Sequence, residues 1–305
     1  MIKKSIKTYS LKTRKSKVHL RDFARPSKVT DSVGAFVNRL PGILAGRDFR
    51  EFLALMREAK KRHRPIIFGL GAHVIKVGLN PVLIDMMNRG WITAVALNGA
   101  GIIHDFEIAY GGQTSEDVEV QIKDGQFGMA KETGEILNRT INEAARGGLG
   151  LGEAVGRMIA RSTFPYKKQS LLAAAWRSAT AVTVHVALGA DTIHFHPQAN
   201  GEALGKTSLQ DFRLLCSLVE GLGGGGIYVN VGSAVILPEV FLKAVSVVRN
   251  RGKRLEDFST AVFDFIHHYR PDQNVVRRPL GKKGRGFYFI GHHEIMIPLL
   301  AAALS

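Results

Sequence analysis

What most constrains this chain is a repeated alternation. Short, mostly apolar runs are separated by segments with helical periodicity. Residues 65–70 (PIIFGL), 92–97 (ITAVAL), 181–187 (AVTVHVA), 226–231 (GIYVNV), 260–266 and 287–290 read as strands. Residues 48–62, 81–89, 170–178, 209–222, 237–251 and 295–304 read as helices, with a helical turn or two at 103–109. Apolar strands that alternate with helices imply a parallel sheet covered on both faces. The expected fold is therefore α/β, a Rossmann-like doubly wound parallel sheet. Residues 113–162 break the rhythm. They carry helical stretches at 115–122, 128–145 and 151–159 with no strand between, and read as a helical insertion over one sheet edge.

The chain has 305 residues and a net charge of +16. Residues 1–64 hold 18 Lys+Arg against 5 Asp+Glu, residues 65–248 hold 14 against 16, and residues 249–285 hold 10 against 4. The body is near neutral, and the excess lies in an N-terminal arm and a late basic segment. We divide the chain into a basic arm, 1–46, and a single Rossmann-like domain, 47–305. A nucleic-acid binder more often spreads its basic residues over one folded face. The arm reads instead as solvated, or as docking on a neighbouring subunit. Cys216 is the one cysteine, so an intrachain disulfide and a Cys-based zinc site are excluded, and a cytoplasmic location is expected. No apolar segment follows the basic residues 1–17 as a targeting signal requires. The longest apolar stretch, 226–248, holds Asn230, Pro238, Glu239 and Lys243, so no membrane span is expected.

In open α/β sheets, ligands bind beyond the carboxyl ends of the strands. The residues just after each apolar run are therefore the candidates. After the first come Gly69, Gly71 and Gly78, without the third glycine of the Rossmann fingerprint spacing. After the second, Asn98, Gly99, Ala100 and Gly101 lead to His104, Asp105 and Glu107. A His-Asp pair beside a glycine turn suits acid/base work. After 187 come Asp191, His194 and His196; in an extended segment the two histidines share a face, which would suit a metal. His73, His267, His268, His292 and His293 also lie at or beyond strand ends. Hydrogen-bonded structural histidines explain the same placements.

The order of these motifs resembles the deoxyhypusine synthase family. Residues 69–78 correspond to its Gly-x-Thr-Ser-Asn-Leu-x-Ser-Ser-Gly segment, and residues 91–105 to its strand ending in Thr-Ala-Gly-Gly and an acidic pair. Residues 170–191 resemble its Ser-x-x-Tyr-Trp-Ala helix and the strand leading to Thr-Asp. Residues 211–214 (DFRL), 270–272 (RPD) and 297–300 (IPLL) follow in the same order, so the likeness runs from about residue 65 to 305. The resemblance implies a Rossmann-like fold, NAD binding, a homotetramer, and transfer of an aminobutyl group from spermidine to a protein lysine. Carried over by position, the nucleotide would meet Ala72, His73, Val74, Lys76, Asn98, Gly99, Ala100, Asp191, Gly232 and His292, with His104 close by.

The departures bear on the chemistry. The family's covalent lysine lies in a Ser-Trp-Gly-Lys sequence; residues 276–280 (VRRPL) stand there, and Lys282 and Lys283 come late. Residues 231–237 (VGSAVIL) replace the turn that carries its catalytic histidine. The Gly-Ser-Asp loop that grips the polyamine has no counterpart between His267 and Arg270. The acidic residues that would hold the polyamine become His104 and His196, and a buried cation without partners is costly. The expectation is an NAD- or nucleotide-binding enzyme of unknown substrate that has lost the family's own reaction, with His104, Asp105 and His196 as catalytic candidates. It is expected to be a dimer or tetramer. The alternatives are a metal-dependent enzyme using His194, His196 and another strand-end histidine, or a non-catalytic protein whose arm binds nucleic acid.

Overall fold

The computed structural model describes residues 6–305. Six strands form one sheet: β1 Ile66–Leu70, β2 Ala94–Asn98, β3 Ala181–His185, β4 Ile227–Val231, β5 Ser259–Asp264 and β6 Gly286–Ile290. Their order is β3-β2-β1-β4-β5-β6, and every pair is parallel. The order reverses between β1 and β4, which makes their carboxyl ends the switch point of a Rossmann-like doubly wound sheet.

Alternation along each strand divides the core. Ile66, Phe68, Leu70, Val229 and Phe263 face one side, where Phe49, Phe52 and Met56 of helix Leu44–Lys61 pack on them. Ile67, Tyr228 and Val262 face the other, against Leu215 and Val219 of helix Gly201–Glu220 and Phe241, Val245 and Val248 of helix Ile236–Asn250. Both faces are covered, so the strands are apolar nearly throughout, as parallel strands must be.

The insertion lies at the β3 edge. Gly152 of helix Leu151–Arg161 sits so near β3 that a Cβ there would overlap the Val182 carbonyl. Asp211 ties the two together, accepting from the amides of Gly152 (2.9 Å) and Val184 (2.7 Å). Its burial pushes its carboxyl up to about 7 against those amides. The N-terminal arm is largely exposed, with Tyr9, Leu11, Leu20, Phe23 and Val29 uncovered; helix Val33–Arg39 buries Val37. Among the described residues, no helix is long and apolar enough to cross a membrane.

Three helices begin four or more residues earlier than the sequence pattern suggests, helix Leu44–Lys61 among them, four residues ahead of Asp48. Helix Gly201–Glu220 starts eight residues before the apolar periodicity does, because the Asn200 side chain accepts from the amides of Glu202 and Ala203. Helix Gly99–Gly111 absorbs the small-residue segment that reads as a turn.

Candidate functional site

The site is built where β1 and β4 diverge. Gly71, just past β1, donates its amide to the Val231 carbonyl at 2.8 Å, and a Cβ on it would overlap the Gly232 carbonyl. The two loops therefore touch backbone to backbone. Helix Ala72–Lys76 follows at once. It buries Val74 and Ile75, half-buries Ala72, and leaves His73 and Lys76 exposed over the sheet edge. Gly69 has a different reason to be glycine: any Cβ would overlap the Tyr228 hydroxyl group inside the sheet.

At the end of β2, Asn98 caps helix Gly99–Gly111 without a side-chain hydrogen bond, and its Oδ1 is buried without a partner. Gly99 is glycine because the Asp191 carboxylate lies where its Cβ would be. Burial pushes the Asp191 carboxyl up to about 6, with the Ala100 amide opposing. A carboxylate from the β3 loop thus already occupies the electropositive start of this helix.

His104 sits one helical turn further along. Its Nδ1 is 2.7 Å from Thr114 Oγ1, and Thr114 donates to Glu107 Oε2 at 2.5 Å. An ionised carboxylate can only accept, so the Thr114 proton points to Glu107 and the Thr114 oxygen accepts from His104 Nδ1–H. That fixes the tautomer and leaves Nε2 as an acceptor. Burial first, then the charges of Lys76 and His73, push His104 down to about 4, so it is neutral at physiological pH. An Asp105 carboxylate within hydrogen-bond reach would raise it. Asp105 instead accepts from Asn80 Nδ2 (2.8 Å), Ser170 Oγ (2.5 Å) and the amides of Leu171 (2.7 Å) and Leu172 (3.2 Å). It is fully enclosed and caps helix Leu171–Arg177, so His104 and Asp105 do not form the acid/base pair read from the sequence.

His194 and His196 do not share a face, because residues Thr192–Phe195 form a 3-10 turn rather than an extended segment. His194 Nδ1 accepts from the Gly189 amide at 3.1 Å, and its Nε2 lies 3.7 Å from Asp191 Oδ2. His196 is buried, with Nε2 2.8 Å from the Gly128 carbonyl and its ring against Gly134, where a Cβ would overlap it. His292 is exposed and stacks on Phe265 at 6.3 Å between ring centres. Gly232 has φ +63° and approaches the His293 ring so closely that a Cβ would lie 2.9 Å from it.

Three further residues complete this edge, two of them among the strand-end histidines read from the sequence and one, Asp264, not singled out there. Asp264 is the last residue of β5, His268 follows it, and His293 opens helix His293–Ala303 after β6. Asp264 and His293 are only 1% exposed. His293 Nε2 is 3.9 Å from Asp264 Oδ1, and His268 Nε2 is 3.9 Å from Asp264 Oδ2. The signal that marks Asp264 is an acidic residue at the end of an otherwise apolar run; reading the strand through to 266 hid it. Among the described residues, every carboxylate or imidazole atom that is buried without a hydrogen-bond partner belongs to Asp191, His194, Asp264 or His293. All four residues lie beyond or at strand carboxyl ends. Native buried polar groups are normally paired, so such orphans mark a place where a ligand or water completes the bonding. A more open groove of about 640 Å³ lies over the insertion, between Arg139 and Arg157, but none of these four residues lines it. Among the described residues, no group of three or more His, Cys, Asp or Glu side chains has metal-holding geometry.

Lys282 and Lys283 lie on the other side of the sheet. They are exposed in the loop that enters β6, and Lys283 Nζ is 3.5 Å from Asp257, two residues before β5. The amino and carboxyl ends of the strands are opposite edges, so neither lysine adjoins the histidine-lined site of its own chain.

No protein-family model and no curated protein matches this chain. Solved structures do. The ternary complex of AgrE with ornithine and NAD+ is 13% identical over 85% of this chain and 32% of AgrE, with a TM-score of 0.56. The chain thus spans about a third of AgrE's length. A conserved protein provisionally named LOR/SDH, from Methanococcus maripaludis S2, is 16% identical over 91% of this chain and 71% of its own, with a TM-score of 0.51. A protein provisionally called a deoxyhypusine synthase, from Entamoeba histolytica, is 10% identical over 90% and 93%, also with a TM-score of 0.51. What these likenesses share with the chain is the doubly wound α/β fold.

Proposed function

We propose that this chain is an NAD- or nucleotide-binding enzyme on a deoxyhypusine synthase-like scaffold, acting on a neutral or anionic substrate. The observation that carries this reading is that two pairs of orphaned acid and imidazole, Asp191 with His194 and Asp264 with His293, flank the switch point along the carboxyl edge of a sheet with Rossmann strand order. A nucleotide fits the edge in part. The Gly71–Gly232 contact keeps the switch point free of side chains, and Asn98, His73 and Lys76 offer polar contacts around it. The start of helix Gly99–Gly111 fits less well, because Asp191 is already there. A pyrophosphate at that position would need Asp191 protonated or displaced. NAD, when bound, supplies a hydride acceptor; the AgrE structure of the same fold holds it.

The charge of Lys76, which acts on His104 at this edge, disfavours a cationic polyamine. With Lys282 and Lys283 at the far edge, we infer that the family's own reaction is lost. The test is thermal and chemical denaturation with NAD, NADP or ATP added. At 100 times its dissociation constant a ligand adds about 2.7 kcal/mol. No stabilisation by any of the three would sink the reading. Formation of deoxyhypusine from spermidine, NAD and precursor protein would sink its second part. We also propose a cytoplasmic homo-oligomer, a dimer or tetramer, with the arm contributing to assembly rather than to nucleic-acid binding.

A further inference from the structure

We propose that His73, His293 and Asp264 form a proton relay that takes up the hydroxyl proton when a neutral or anionic alcohol is oxidised at this edge. The inference rests on the cofactor reading above. It assigns roles to residues that come from three separate strand ends: His73 after β1, Asp264 at the end of β5 and His293 after β6.

The geometry is graded from outside to inside. His73 is exposed; its ring lies edge-on to the His293 ring, 5.6 Å between centres. His293 is enclosed, and neither ring nitrogen makes a well-formed hydrogen bond, although the Phe263 carbonyl lies near enough to favour its charged form. Behind it is Asp264, whose Oδ2 is also unpartnered. The 3.9 Å separation from His293 Nε2 to Asp264 Oδ1 is too long for a direct hydrogen bond, yet short enough that the charge of each acts on the other. Two enclosed polar side chains left unpaired cost stability, and that cost is retained where chemistry uses it. Burial lowers His293 and raises Asp264, so both tend towards their neutral forms, while each favours the other's charged form. A pair balanced in this way accepts a proton without a large change in its surroundings.

The balance of the step is simple. With a nicotinamide cofactor bound, the carbinol C–H electron pair would leave as hydride to it, and the O–H proton is the one His73 would take. His73 is the catalytic residue because it is the exposed member. His293 and Asp264 are positioning residues that hold the relayed proton. The charged and titratable groups facing His293 are His73 from the first helix, Asp264 and His268 from the end of β5, and Glu294 on its own helix; Lys76 and His104 lie beyond His73.

The first measurement is imidazole nitrogen NMR of the whole protein between pH 4.5 and 8, with no ligand. Asp264→Asn removes the carboxylate that favours the imidazolium, so His293 should protonate about one pH unit lower or more. Should that variant not fold, the exposed change His73→Gln should move His293 upward, since a neighbouring cation is gone. An unmoved His293 titration in the folded variants overturns the relay. The second measurement is NAD calorimetry at pH 6 in two buffers of unlike ionisation heat. Net proton release is expected in the wild type and should be lost in His73→Gln. Proton-neutral NAD binding in the wild type overturns the relay while leaving the cofactor reading intact. Absence of any binding heat overturns the cofactor reading and, with it, the relay.

Discussion

At the scale of single residues, the buried acids and imidazoles act on stability in opposite directions. His185, enclosed at the end of β3 and bonded to Thr183, is pushed down to about 4 by burial. Its folded pKa is below its unfolded value, so the unfolded chain binds the proton more tightly. Stability through His185 is present above about pH 6.5 and lost as the pH falls towards 4. We expect that loss to be about 2–3 kcal/mol, removed in His185→Gln, as read by urea unfolding at pH 4.5 and 7. Asp105, raised to about 6 by burial, contributes with the other sign: its share grows as the pH falls through the same window. The variant-minus-wild-type difference isolates His185 from it. A second residue-scale prediction concerns Gly99. Gly99→Ala should cost about 1–3 kcal/mol by crowding Asp191, and adding Asp191→Ala should recover most of that. Equal losses in the single and double variants would place the obstruction elsewhere. The site was legible in the sequence only in part. His73, His104 and Asp191 could be placed by their distance from an apolar run. The divergence of His194 from His196, and the diversion of Asp105 to a helix cap, depend on a 3-10 turn and on Ser170 from a distant helix, which no local pattern announces.

Elements were legible where their pattern is local. Strands buried on both faces are continuous apolar runs, and all six end within two residues of their expected carboxyl ends. Helix starts were less legible, because the groups that fix them lie outside the periodic stretch: Asn200 ahead of one helix, and the Asp191 loop against another. The contact between Gly152 and β3 yields a prediction at this scale. Gly152→Ala should push helix Leu151–Arg161 off the Val182 carbonyl, which is backbone and cannot rotate away. We expect a loss of about 2–3 kcal/mol in urea unfolding. Hydrogen exchange should show the opening confined to β3 and the insertion. Uniform loss of protection across β4 and β5 would mean that the edge is not a separate cooperative unit.

For the whole molecule, the sheet edges separate two chemistries. The carboxyl edge collects the histidines and the orphaned acids; the amino edge carries Lys282 and Lys283. Light scattering at micromolar concentration should give the mass of a dimer or tetramer, and removal of residues 1–31 should lower it. A monomer with the arm present would show that the arm and its exposed Tyr9, Leu20 and Phe23 have another use. The Gly71–Gly232 contact has a consequence for how such a chain can diverge. A side chain at 71 would strike main chain, and no exchange at 232 can withdraw a carbonyl. A side chain at 232 would strike the His293 ring, which a smaller residue at 293 removes. Among descendants of this sequence, position 71 should therefore stay glycine under any function, while 232, held also by its φ of +63°, should admit only residues that tolerate the left-handed conformation, and those together with a change at 293 in lineages that have given up the imidazole.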